Sequence, residues 1–214
     1  MKRFFVFAAV LILAGSAEII TAQTVVGSSH DLSAALPTSQ RVCVFCHTPH
    51  QITGQTTDPL LNHTLSLTPT YGVYSSPTLD ATPTDIGGGT AVSNLCMSCH
   101  DGTIGVGSLY NDPNIASGEE TPTNSAVFIG AINPNADLGT NLTNDHPINF
   151  NYDSALATAD GGLNDPASTP AVAALLSGGT VQCSSCHDPH DPTNVPFLRM
   201  SNVNSALCTT CHIK

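Results

Sequence analysis

Cys43-Val-Phe-Cys-His47-Thr-Pro-His50 carries two thiols three positions apart, an imidazole directly after the second thiol, and another imidazole three residues on. The Cys-x-x-Cys-His unit recurs at Cys96–His100, Cys183–His187 and Cys208–His212, and the four copies use all eight cysteines. Thiols at this spacing sit on neighbouring parts of one turn, so both can add to the two vinyl groups on one side of a haem while the adjacent imidazole reaches the iron. A single Cys-x-x-Cys pair would read more readily as half of a zinc ribbon or as a redox dithiol. Four of four pairs followed by histidine is far beyond coincidence with nine histidines in 214 residues. Cys43, Cys46, Cys96, Cys99, Cys183, Cys186, Cys208 and Cys211 are therefore expected to hold four c-type haems covalently. His47, His100, His187 and His212 are the expected proximal iron ligands.

The remaining histidines are His30, His50, His63, His146 and His190. Four irons with two axial positions each call for four more ligands. Methionine, the other strong haem ligand, is scarce: Met1 opens the chain and Met97 lies inside the second unit, which leaves Met200. The five histidines are thus the candidate distal ligands, and at least one has no iron of its own subunit to bind. A segment lying along the proximal face of its own haem cannot wrap to the distal face within three residues, so His50 and His190 each serve a different haem or none. Three residues span at most about 10–11 Å, so His47–His50 and His187–His190 would each hold two irons close together. That spacing suits fast electron hopping.

The elements that must position these groups are sparse. The chain has no tryptophan, 5% aromatic and 10% charged residues, 17 glycines and 15 prolines, a composition that cannot build a dense side-chain core. Haems, as large flat apolar surfaces, would supply that core. The expected fold is a multihaem cytochrome c, mostly irregular loop with a few short α-helices and minimal strand, wrapped around four covalently bound haems.

Residues 1–22 read as a secretory signal peptide: Lys2 and Arg3 precede the apolar run Phe4–Leu13, and Ala14, Gly15, Ser16 and Ala17 follow. The run is too short to span a bilayer, so the expected product, residues 23–214, is a single exported domain with no membrane span. It retains three basic residues, Arg41, Arg199 and Lys214, against fifteen acidic ones, a net charge of −12 compared with −11 for the full chain. Such a surface has no electrostatic reason to bind nucleic acid.

Along the chain, residues 64–94 read as extended loop with a short edge strand near Thr70–Tyr74. Val92–His100 is predicted as a helical turn carrying the second unit, and Ala126–Ile132 as a short strand. His146 before Pro147 is biased to extended geometry. Helices are expected over Asp153–Ala159 and over Ser168–Gly178, the latter with an early proline, a terminating glycine and an apolar face of Val172, Leu175 and Leu176. Asp112, Glu119 and Glu120 form a minor calcium candidate. No phosphate-binding glycine loop or hydrolytic constellation is present.

The ordered set His30-Asp-Leu-Ser33, Cys43–His50, Pro59–His63, Cys96–Gly102, Asn144–Pro147, Val181–His190, Phe197-Leu-Arg199 and Cys208–His212 resembles the extracellular tetrahaem cytochromes of metal-reducing bacteria, the OmcE type. The likeness covers nearly the whole of residues 23–214, and is weakest at Leu61, where the family carries tryptophan. The resemblance implies subunits that polymerise into a filament with a continuous haem stack. It further implies bis-histidine ligation of every iron and one ligand donated across the subunit boundary, for which His50 is the candidate by position.

The expected function is electron transfer along stacked haems to extracellular acceptors such as metal oxides, with other periplasmic or outer-surface cytochromes as partners and no enzymatic activity. Bis-histidine ligation lacks the methionine that raises potential. A soluble periplasmic shuttle with the same cofactors is the second reading. A multihaem oxyanion reductase is the third, and it needs an exchangeable iron position, sometimes with lysine replacing the proximal histidine. All four units here end in histidine, and the only lysine after the leader is Lys214.

Overall fold

The computed structural model describes residues 25–35, 42–47, 62–88, 91–109 and 126–213. The leader, His50, most of Pro59–His63 and the acidic candidates Asp112, Glu119 and Glu120 lie outside these residues. Among the described residues the architecture is mostly irregular, with short helices and one two-stranded sheet.

Helix α1 spans Val92–His100 as the sequence predicts. It ends because Asp101 and Gly102 turn the chain back, their amides donating to Met97 O at 3.0 Å and Cys99 O at 3.3 Å. Gly102 has φ +70, a conformation that favours glycine, and a Cβ there would stand 2.7 Å from Asp137 Oδ1, so that side chain would have to move.

The segment expected as a strand near residue 126 behaves differently. Val127 O accepts from Val106 N at 2.9 Å in strand-like fashion, but Ile129–Ile132 then closes into a helical turn, α2. Ile129 buries while Phe128 and Ile132 are exposed, a one-sided pattern that a single turn satisfies, and Pro134 just beyond cannot donate to a sheet ladder. The Thr70–Tyr74 strand reduces to one isolated bridge, Gly72 to Asn141.

Strand β1, Phe150–Asn151, pairs antiparallel with β2, Thr180–Val181, in the register Phe150 to Val181. Between them lie α3, Ser154–Asp160, and α4, Pro170–Leu175. Asp153 caps α3 by accepting from Leu156 N at 2.9 Å, and Gly161 at φ +69 closes it. Helix α4 begins at its proline, as expected, but stops at Leu175, short of Gly178. Of its expected apolar face, Val172 is fully buried and Leu176, just past the helix, packs beside it. Helices α5, Cys183–Cys186, and α6, Ala206–Cys211, carry the third and fourth units.

Helices this short are marginal alone, and among the described residues three apolar clusters hold them, two of which Ile148 joins. Val44, Phe45, Val106 and Ile129 form one. Tyr71, Ile86, Met97 and Leu142 form a second. Phe150, Tyr152, Ala157, Val172 and Val181 form the third.

Candidate haem-binding sites

Each cysteine pair lies on one helical turn: the first on the 3-10 turn Val42–Phe45 and its exit, the others on α1, α5 and α6. None of the eight is in a disulfide. Among the described residues no three of His, Cys, Asp and Glu converge on one point, so the cage a zinc ribbon requires is not assembled.

The turns are locked to one another by polar side chains. Ser93 Oγ donates to Gln182 Oε1 at 2.6 Å and accepts from Cys183 N at 3.0 Å, while Gln182 Nε2 donates to Asn149 Oδ1 at 2.9 Å. Both Ser93 and Gln182 are buried. They fix the start of α1 against the start of α5, and so the second unit against the third. Asn62 Nδ2 donates to Val44 O at 2.9 Å, tying the chain before His63 to the first unit.

Thiol environments follow this packing. Burial pushes Cys186 and Cys211 up, and Cys99 to about 12. The neighbouring thiols of Cys96 and Cys183 shift each other, Cys96 up and Cys183 down.

The histidine rings are oriented by their Nδ1 atoms. His100 Nδ1–H donates to Ala136 O at 2.7 Å, His187 to Pro196 O at 2.9 Å, His146 to Pro147 O at 2.8 Å and His30 to Pro189 O at 3.2 Å. His190 Nδ1 lies 3.4 Å from Asp188 Oδ1. A ring that donates from Nδ1 to a carbonyl or carboxylate presents a bare lone pair at Nε2, the arrangement of metal-ligating histidines. Burial pushes the His30 pKa down, against the bond to Pro189, so the ring favours the neutral form a metal requires.

Ring pairs join distant parts of the chain. His30 and His100 have centroids 6.2 Å apart, His47 and His190 5.9 Å, and His146 and His212 6.3 Å. Each pair joins a unit histidine to one outside the units, and His190 faces the ring of a different unit from the one it follows. His63 and His187 stand outside these three pairs. His63 is buried, with Nδ1 2.8 Å from Thr64 O and Nε2 3.0 Å from Gly105 O and 3.5 Å from Cys99 Sγ. Met200 Sδ accepts from Thr210 Oγ1 at 3.5 Å, one residue before Cys211.

A buried carboxylate follows the second unit. Asp101, 3% exposed, accepts from Ser66, from Tyr71 at 2.5 Å, from Thr68 at 3.2 Å, and from the amide and hydroxyl of Thr103, both at 2.8 Å. Burial pushes its pKa up, but the hydrogen bonds outweigh that and hold it below the ordinary carboxylate value. Tyr71 is raised to about 12 by burial and by its bond to Asp101. Sequence reasoning singled out none of Ser93, Gln182, Asp101 or Asp188. The signal available was position alone: Asp101 and Asp188 each directly follow a unit histidine.

The donor set fits covalently held haem. Paired thiols share turns, several imidazoles are held at Nδ1, and Ser205, Cys208, Thr209 and His212 line an open hollow beside α6. A family model described as the doubled CXXCH motif matches residues 176–214, which hold the third and fourth units. No curated protein matches the chain. With that match and four Cys-x-x-Cys-His units, the chain is a multihaem c-type cytochrome. Its class of function is thereby indicated as electron transfer.

Proposed function

We propose that the protein is an exported tetrahaem electron carrier. In this reading the thiol pairs Cys43/Cys46, Cys96/Cys99, Cys183/Cys186 and Cys208/Cys211 each hold one haem, and His47, His100, His187 and His212 are the proximal ligands. Haem supplies a one-electron ferric/ferrous couple when bound. The chain's contribution is to tether, orient and insulate. The Ser93–Gln182 clamp sets the second unit against the third, and carbonyls fix the ring tautomers.

The observation that carries the reading is the pairing of unit histidines with histidines from elsewhere in the chain, at 5.9–6.3 Å, in three of four units. In three of the four units the paired histidines would occupy both iron positions, which supports a carrier over an oxyanion reductase. Polymerisation into an extracellular filament that conducts to acceptors such as metal oxides is the favoured setting. The OmcE-type resemblance supports it, with one ligand donated across the subunit boundary. The apolar run Phe4–Leu13 supports export.

Cryo-electron microscopy of secreted material tests the assembly. Filaments with continuous haem density are expected. Dispersed particles, under conditions that preserve assemblies, favour the soluble periplasmic shuttle. A high-spin iron signal in the oxidised protein would revive the reductase.

A further inference from the structure

His30 shows what direct ring packing looks like here: its ring lies 4.3 Å from that of Phe197 at an interplanar angle of 28°. The three histidine pairs stand further apart, at 6.2, 5.9 and 6.3 Å. A metal–imidazole bond of about 2.0–2.1 Å, with about 1.1 Å more to the ring centre, puts imidazoles on opposite sides of one metal about 6.3 Å apart. All three pairs match that separation within a few tenths of an ångström. Their planes differ: His30 and His100 cross at 81°, His146 and His212 at 72°, and His47 and His190 lie within 16° of parallel.

We propose that His30/His100, His47/His190 and His146/His212 are the axial pairs of three irons, and that ring orientation divides these irons into two electronic kinds, one parallel and two crossed. The proposal rests on the multihaem reading above and assigns which histidine serves which unit. It leaves His187, with His50 and His63, to the fourth iron and the intersubunit ligand.

The two kinds follow from orbital overlap. An imidazole donates π density to the iron d orbital perpendicular to its own plane. Parallel rings raise the same member of a pair of d orbitals and split the pair widely. Crossed rings raise one member each and leave the pair nearly degenerate, so the unpaired electron of low-spin ferric iron keeps more orbital angular momentum. Parallel ligands therefore give an ordinary rhombic spin-resonance signal, and crossed ligands a broad signal with a very large maximum g value.

Protein groups set these angles. Ala136 O holds His100, Pro189 O and the Phe197 ring hold His30, Pro147 O holds His146, and the Asp188 carboxylate stands at His190 Nδ1.

The test is low-temperature electron paramagnetic resonance of the purified, oxidised full-length protein and of His190→Met and His146→Met. The wild type should show at least one iron in the rhombic signal and at least two in the large-g signal. His190→Met should remove one iron from the rhombic signal alone and add a far-red histidine–methionine absorption band. His146→Met should remove one iron from the large-g signal alone. Fewer than two irons in the large-g signal, no rhombic signal, or loss from the opposite signal in either variant overturns the assignment, and the wild-type spectrum decides even if a variant fails to fold. A pyridine haemochrome assay on the same samples separates the failures: haem c with the wrong spectra refutes the pairs, whereas absence of haem c refutes the multihaem reading beneath them.

Discussion

Ser93, Asn94, Met97 and Ser98 of α1 are each at most 1% exposed, whereas α6 buries only Leu207, at 9%. Both helices carry a Cys-x-x-Cys-His unit. Protein atoms cover α1: Gln182 caps its start, Met97 enters the Tyr71 cluster and Asp101 anchors its exit. The exit of α6 is held mainly through its backbone, where Cys211 O accepts from Asn164 N at 2.7 Å and Tyr152 Oη at 3.2 Å, and Ile213 N donates to Gly162 O at 2.8 Å. Cys208 and Thr209 of α6 line the hollow with Ser205 and His212. A unit can thus be positioned by side-chain packing around it or by backbone pairing that leaves a face for the prosthetic group, and the two should respond differently to mutation.

The largest difference is expected at the buried apolar contacts. Met97→Ala should cost about 3–4 kcal/mol and Leu207→Ala about 2 kcal/mol, read from denaturant midpoints of the purified proteins. Equal losses would erase the contrast between the helices.

Next comes Asp101→Asn, expected to cost about 2–3 kcal/mol near neutral pH, because a charged acceptor of several buried hydrogen bonds is lost. The Asp101 pKa is depressed in the folded state, so this contribution is present in full above the unfolded value of about 3.9 and fades as pH falls through the lower folded value. Unfolding midpoints of wild type and variant should therefore converge in acid. A gap independent of pH would mean that shape, and not charge, holds the exit of α1.

Ser93→Ala removes the bonds to Gln182 and Cys183 and should cost about 1–2 kcal/mol. Hydrogen exchange should quicken at the amides of both α1 and α5, since the clamp joins them. Smallest is Asn164→Ala, at about 0.5–1 kcal/mol: its side chain donates to Thr210 O at 3.0 Å and more weakly to Thr209 O at 3.4 Å, while its backbone amide, unaffected by the substitution, keeps the bond to Cys211 O.

The units themselves were legible in the sequence because thiol and imidazole chemistry fixes their spacing, and α1 and α3 follow from local rules. Ring orientation was not legible. The groups that hold His30, His100 and His187 are the carbonyls of Pro189, Ala136 and Pro196, and a carbonyl carries no residue identity. The strand expected over Ala126–Ile132 failed because local apolar content cannot say that Val127 and Ile129 find a cluster to enter while Phe128 and Ile132 stay exposed. Ser93 and Gln182, 89 residues apart, look like ordinary polar residues until the fold brings them together.

The most direct measurement of the central claim is intact mass spectrometry of the denatured protein purified from an expression host competent for cytochrome c maturation, followed by peptide mapping. The expected result is a mass above that of the processed polypeptide by four haems, one mapped to each of Cys43/Cys46, Cys96/Cys99, Cys183/Cys186 and Cys208/Cys211. A polypeptide of unmodified mass with eight free thiols, or one retaining metal only by coordination to cysteine, would contradict it.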